Sequence, residues 1–229
     1  MDEFPGQIND QYHKKYIKNI VKKEKNQYIF DLGKDSRKKN IPIIDIEVKK
    51  FLEVLIKSAN VKSILEIGTA IGYSSLVFCK AMNYKGYIKS YDNDKKAQLK
   101  ALKHFEKFSK KYKVDLDIDL VHGNAKTCLK DEKGIYDLIF IDAAKGHYQK
   151  FFNQIKDNLK KGSIIVSDNV LFKGMVATDK YVVKRQRTIA KRMRNFLDFL
   201  TESPHLETTV IPIGDGLAVS YVTEGGICE

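Results

Sequence analysis

Apolar positions along this chain follow two periods, and the switches between them mark out its elements. Over residues 45–59, Val48, Phe51, Leu52, Leu55, Ile56 and Ala59 recur at helical spacing, with Asp45 available as N-cap. The run Ser63-Ile64-Leu65-Glu66-Ile67 that follows reads as a short buried strand. From there short apolar runs alternate with longer amphipathic ones. The pattern predicts strands over 63–67, 87–92, 116–122, 137–142, 163–168, 207–213 and 217–222, and helices over 73–83, 94–112, 147–160 and 184–202. Strands separated by helices imply a mainly parallel sheet covered on both faces. Gly214-Asp215-Gly216 is too short for a helical crossover, so the last two strands form an antiparallel hairpin. The predicted fold is therefore α/β and Rossmann-like, a seven-stranded sheet with its last strand reversed.

Before residue 45 the pattern is weaker. Residues 8–25 read as a short basic helix with apolar Tyr16, Ile17, Ile20 and Val21. A charged connector follows from Lys34 to Asn40, then an extended segment Ile41-Pro42-Ile43-Ile44, because a proline disfavours helix just before it. The 229 residues suit one domain (1–229), with a catalytic core over 41–222 and a helical extension over 1–40. No apolar run approaches the 18 or so residues of a membrane span, and Met1 to Pro5 lacks a secretory leader's basic and apolar regions. Cys79, Cys128 and Cys228 are few, odd in number and far apart, which suits a reducing, cytoplasmic setting. The net charge of +12 comes mostly from lysine, a compositional habit that says little about partners. The arginines say more: Arg185, Arg187, Arg192 and Arg194 fall within ten residues, and only Arg37 lies elsewhere.

The chemistry gathers at predicted strand ends, where open α/β sheets bind ligands. Glu66-Ile67-Gly68-Thr69-Ala70-Ile71-Gly72 is a strand running into a glycine turn, but its spacing is not the G-x-G-x-x-G of a dinucleotide site. A carboxylate beside the turn would repel phosphate and suit a cationic, hydroxyl-rich ligand, as S-adenosylmethionine (SAM) is. This opposes a nicotinamide-dependent enzyme. Asp92 ends the second strand, where it could accept both ribose hydroxyls; the bland alternative is that Asp92 or Asp94 caps the next helix. Asp142, Asp168 and Asn169 end two adjacent strands. Two carboxylates and an amide are hard oxygen donors suited to Mg²⁺, Mn²⁺ or Ca²⁺. Either segment alone would more simply be an Asx turn. Their pairing, with Lys145 three residues after Asp142, favours a metal.

These motifs together resemble the cation-dependent O-methyltransferase family that includes catechol and caffeoyl-CoA methyltransferases. Glu66-Ile-Gly68-Thr69-x-x-Gly72-x-Ser74 matches the SAM loop, Ile141-Asp142-Ala-x-Lys145 and Asp168-Asn169 the metal and base positions, and Ile213-Gly214-Asp215-Gly216 the final hairpin. The resemblance implies a class I SAM-dependent methyltransferase fold. It implies SAM held by Glu66, Gly68, Thr69, Gly72, Ser74, Asp92, Asn124, Ala125 and Asp142, with Ile43 and Tyr73 as cover. It implies a metal on Asp142, Asp168 and Asn169, and Lys145 as base. Asn124 departs from the family's usual aspartate, though an amide oxygen can still accept from the adenine amino group.

Within the family, Asp168-Asn169-Val170-Leu171-Phe172-Lys173-Gly174 followed by a basic helix is most similar to the bacterial tRNA 5-hydroxyuridine methyltransferases. On that helix Ile189, Met193, Phe196, Leu197 and Leu200 make an apolar face. Lys184, Arg187, Lys191 and Arg194 form a stripe opposite, and Arg185 and Arg192 flank the apolar side. No acid occurs from Lys180 to Arg194 to neutralise them, and guanidinium forks match phosphates. The expectation is a tRNA substrate methylated at the wobble uridine. The alternatives are small catechol-like phenols, or a non-catalytic RNA-binding module. A homodimer is expected, as for most soluble oligomers, and no membrane partner.

Overall fold

The alternating apolar runs do form strands, and their order determines where a crevice opens. The computed structural model describes residues 11–21 and 23–224. The strands are β1 (Ser63–Ile67), β2 (Tyr87–Asp92), β3 (Asp117–His122), β4 (Tyr136–Ile141), β5 (Leu159–Asp168), β6 (Leu206–Ile211) and β7 (Leu217–Val222). They form one sheet in the order β3-β2-β1-β4-β5-β7-β6. The first five are parallel, and β7 runs antiparallel to both its neighbours. The chain order reverses between β1 and β4, so their carboxyl ends part and leave a crevice there.

The helices are α1 (Gln11–Ile20), α2 (Gln27–Lys38), α3 (Ile46–Ser58), α4 (Tyr73–Ala81), α5 (Lys95–Tyr112), α6 (Ala125–Cys128), α7 (Tyr148–Ile155) and α8 (Arg187–Glu202). Successive residues of β4 divide between the two sides of the sheet. Leu138 and Phe140 pack with α2 to α5, while Ile139 and Ile141 pack with α7 and α8. The residues of β1 after Ser63 are all buried, which explains the unbroken apolar look of its sequence. Among the described residues no helix is long and apolar enough to cross a membrane.

Several boundaries differ from those the sequence predicts. The helix expected over 147–160 is α7 and one 3₁₀ turn, and β5 begins at Leu159 rather than residue 163. Asn158 ends the helix because its buried amide donates to the carbonyls of Glu132 (3.2 Å) and Gly134 (2.7 Å). The basic helix starts with a 3₁₀ turn at Lys184–Gln186 before α8. The largest difference is α2, where a charged connector was expected. Asn26 caps it, accepting from the Ile29 amide at 3.1 Å, and its inner face buries Ile29, Leu32, Gly33 and Ser36. Part of the expected 8–25 helix and Cys228 lie outside the described residues.

The segment before residue 41 is tied to the core by charge as well. Glu24 is nearly buried and bonds Lys49 of α3 and Lys80 of α4, which also holds Glu53 at 2.7 Å. Burial alone would raise the Glu24 pKa, but the two ammonium groups outweigh it and hold it down at about 2. Removing one partner of such a buried network typically costs about 3–5 kcal/mol.

Candidate functional site

The turn after β1 can approach β4 only because residue 68 lacks a side chain. Gly68 has φ +114°, and a Cβ there would lie 2.0 Å from the Asp142 carbonyl oxygen. Two cavities of about 240 Å³ each flank this contact, and Gly68, Ala70, Asp142 and Ala143 line both. One runs beneath the ends of β2 and β3, past Asp92, Asn124, Ala125 and His147. The other lies under Ile43 and the rest of the 42–44 segment, beside Tyr73 and Ser74.

Asp92 faces the first cavity, and capping is left to its neighbour. Asp94 accepts from the amides of Lys96 and Ala97 at the start of α5, whereas Asp92 accepts from the Ala70 amide at 2.7 Å and the Asp94 amide at 2.8 Å. The Asp92 carboxylate thus props the glycine turn from the cavity wall and keeps lone pairs for a ligand. Asn124 lines the same cavity and also caps α6, accepting from Lys126 at 3.1 Å.

The expectation that Glu66 lines the cleft is corrected. Its side chain is fully buried and lines neither cavity. It accepts hydroxyl bonds from Ser74, from Ser75 (2.6 Å) and from Ser90 (2.6 Å). Burial raises its pKa to about 7 despite these bonds. Its location follows from strand alternation, which turns residue 66 toward α4 with Ile64. Glu66 therefore fixes the turn and α4, and does not reach a ligand. Thr69 lines the second cavity, but its hydroxyl is spent on Ser90 at 2.6 Å. Gly72 lies behind the turn, where a Cβ would meet Phe105 of α5 at 2.6 Å. Tyr73 is almost wholly buried and acts as a wall.

The second group of residues lies at the ends of β4 and β5, where Asp142 and Asp168 feel each other's charge and both feel that of Lys145. Asp142 follows β4, Asp168 ends β5, and Asn169 follows in the left-handed region at φ 57°. Asp168 is 1% exposed. Burial, and then the charge of Asp142, push its pKa well above the aspartate range; burial also raises Asp142, against the pull of Lys145. The Asn169 backbone and side-chain amides donate to Asp168 Oδ1 at 2.6 and 3.0 Å, which leaves the Asn169 side-chain oxygen Oδ1 to face a ligand. Among the described residues no three His, Cys, Asp or Glu side chains cluster to hold a metal. The set here is two carboxylates and one amide. A buried carboxylate and a partly buried one that resist ionisation beside each other, with a third oxygen donor at hand, fit a hard divalent cation.

Lys145 is held by residues the sequence reading did not assign. Its Nζ lies 3.4 Å from Asp215 Oδ2 and 5.3 Å from the ring centroid of Phe172. Asp215 also accepts from the Lys173 amide at 2.6 Å, so the β6–β7 hairpin and the loop after β5 grip the lysine together. The signal lay in Gly214-Asp215-Gly216, where the aspartate reads as turn chemistry unless the hairpin is known to sit over the strand ends.

The basic helix keeps only part of its stripe. Lys184, Arg185, Arg187 and Lys191 are exposed. Arg194 is not free: it donates to the carbonyls of Val176 (2.8 Å) and Met175 (2.9 Å) and pairs with Asp179 at 2.7 Å. The acid that engages it stands one residue before the acid-free window. Arg194 therefore clamps the loop that follows Asn169.

A family model described as O-methyltransferase matches residues 19–222. The caffeoyl-CoA O-methyltransferase of Medicago sativa is 33% identical over 193 residues, 79% of this chain and 74% of that protein. The solved structure of a candidate caffeoyl-CoA O-methyltransferase from Staphylococcus aureus superposes with TM-score 0.81 at 30% identity, covering 92% of this chain and 99% of the other. A Podospora anserina methyltransferase solved with SAH shares the fold, with TM-score 0.82 at 22% identity over 98% and 100% of the two chains. The chain belongs to the O-methyltransferase family and is built on the class I SAM-dependent methyltransferase fold.

Proposed function

We propose that this protein transfers the methyl group of SAM to a hydroxyl of a small phenol that carries a second oxygen beside it. The observation that carries this reading is the meeting of Asp142, Asp168 and Asn169 with Lys145 beside the paired cavities. Asp92 would accept the ribose hydroxyls of SAM, with Asn124 and Ala125 along the adenine side. Ile43 and Tyr73 would exclude water from the methyl group. Asp142, Asp168 and Asn169 would hold a divalent cation such as Mg²⁺, which supplies Lewis acidity to the acceptor hydroxyl. Lys145 Nζ takes the hydroxyl proton. Asp215 and Phe172 fix that nitrogen, so positioning supplies much of the rate.

The caffeoyl-CoA names of the relatives support a phenolic acceptor. A wobble-uridine acceptor in tRNA is the second reading, favoured by the exposed Lys184, Arg185, Arg187 and Lys191. It is weakened by Arg194, whose guanidinium is already spent on the loop. Methyl transfer from SAM with Mg²⁺ should be assayed on catechol, on phenol and on tRNA bearing 5-hydroxyuridine. Catechol should be methylated and phenol, lacking the second oxygen, should not. Methylation of the tRNA alone would replace the phenolic reading. Binding of tRNA without transfer to any acceptor would favour the non-catalytic module.

A further inference from the structure

Behind the cover of the cofactor cavities lies a pocket that methyl transfer does not use. It holds about 210 Å³ between α2 and α3, and Tyr73 forms part of its wall and of the neighbouring cavity's wall. Phe30 and Ile46 line it while 42% and 37% exposed. Large apolar side chains left to water at a concave site offer a surface for a ligand to cover.

The polar lining is cationic. Lys34 and Arg37 come from successive turns of α2, and Lys49 and Lys50 from α3, with Lys18 and Lys23 at the α1 side. Some of these charges are already met. Glu24, the one acid in the lining, is bound by Lys49 and Lys80; Lys50 closes on Glu53, and Lys18 lies 3.5 Å from Glu47. Lys23, Lys34 and Arg37 have no acidic partner among the described residues. Asp31 and Asp35, on the same helix, line no part of the pocket. Three uncompensated cations therefore surround an apolar floor.

We propose that this pocket binds a small amphipathic anion: an aromatic or aliphatic body carrying a carboxylate, sulfonate or phosphate. The body covers Phe30, Ile46 and the Tyr73 wall, and the head group meets Lys34, Arg37 and Lys23. Arg37 lies 6.0 Å from the Tyr73 ring centroid and donates to the Ile44 carbonyl at 3.4 Å, so an occupant bears on the cover of the cofactor cavity. Linkage then requires SAM and the anion to alter each other's affinity by one common factor.

The test uses the full chain and the fluorescent anion anilinonaphthalene sulfonate (ANS), with phenylnaphthylamine as the same body lacking the sulfonate. ANS should bind at one saturable site at least about tenfold more tightly than phenylnaphthylamine. Combining Lys23→Glu with Lys34→Glu should weaken ANS by about tenfold or more and leave phenylnaphthylamine unchanged, whereas Lys34→Arg should keep ANS binding. With SAM saturating, ANS should still bind, with shifted affinity. Displacement by cinnamate or by phenyl phosphate then assigns the head group as carboxylate or phosphate. Equal binding of the two dyes, indifference to the charge reversals, outright displacement of ANS by SAM, or failure of both competitors would each overturn the proposal.

Discussion

Replacing Glu66 with glutamine should make the protein's stability advantage depend on pH in a calculable way. Glu66 sits among the hydroxyls of Ser74, Ser75 and Ser90 with no exposure, and burial raises its pKa from 4.5 to about 7. Below pH 4.5 the carboxyl is protonated in both the folded and the unfolded chain. As pH rises above that value, the unfolded chain releases its proton first and folding is penalised. The penalty grows until about pH 7, where the folded carboxyl ionises too, and is constant beyond. A displacement of about 2.5 in pKa at 1.36 kcal/mol each is a loss of about 3 kcal/mol. Glu66→Gln fills the same space, keeps an acceptor for the hydroxyls and cannot ionise. Its unfolding free energy minus that of the wild type should therefore rise by about 3 kcal/mol between about pH 4.5 and pH 8. The assay is urea unfolding of both proteins in EDTA across that range. Asp142 and Asp168 carry penalties of the same sign in both proteins; Asp142 also repels the Glu66 carboxylate, but more weakly than burial disfavours it, so the difference is chiefly that of Glu66. A difference independent of pH would mean that Glu66 ionises as it does in water. Burial would then not outweigh the three hydroxyl bonds, and the reasoning from desolvation would be wrong.

Asp92→Ala should weaken SAM by about tenfold or more in calorimetric titration while retaining the thermal transition, since the side chain lines a cavity. Lys145→Met should lower kcat by about 10²-fold or more with little change in SAM affinity, and its residual rate should climb with pH as hydroxide replaces the base. Arg194→Ala should cost about 2 kcal/mol through the lost carbonyl bonds and expose the 171–183 loop to limited proteolysis; a phosphate-binding role alone would leave both readouts unmoved.

The sheet was legible because β1, β2, β4, β5 and β7 are covered strands whose apolar residues cannot be spent elsewhere. The short connection over 212–216, with Gly214-Asp215-Gly216 at its end, leaves no room for a crossover and reverses β7. The α2 helix was not legible. Its charged residues outnumber the apolar ones, and the helix is stabilised by Ile29 and Leu32 packing on distant parts of the chain. The placement of Asp142, Lys145, Asp168 and Asn169 was readable because each ends or follows a strand, so topology alone brings them to one end of the sheet. Glu66 was misplaced for the same reason in reverse. Adjacency to the glycine turn suggested the cleft, but strand alternation, the serine pair that opens α4 and Ser90 of β2 decide where its carboxylate goes. Asp215 and Phe172 escaped notice because nothing local marks a hairpin aspartate or a loop phenylalanine as partners of Lys145.

The most direct test of metal-assisted methyl transfer at the β4 and β5 ends is transfer of labelled methyl from SAM to catechol. It should be measured with Mg²⁺, with EDTA, and with Asp168→Ala in Mg²⁺, alongside SAM binding in each case. Turnover should be present with Mg²⁺, vanish in EDTA and return when Mg²⁺ is restored. Asp168→Ala should bind SAM yet behave as the chelated enzyme does, because a hard cation is poorly held once one of three protein donors is gone. Full turnover in EDTA, or in Asp168→Ala, would contradict the assignment of Asp142, Asp168 and Asn169 as a metal site.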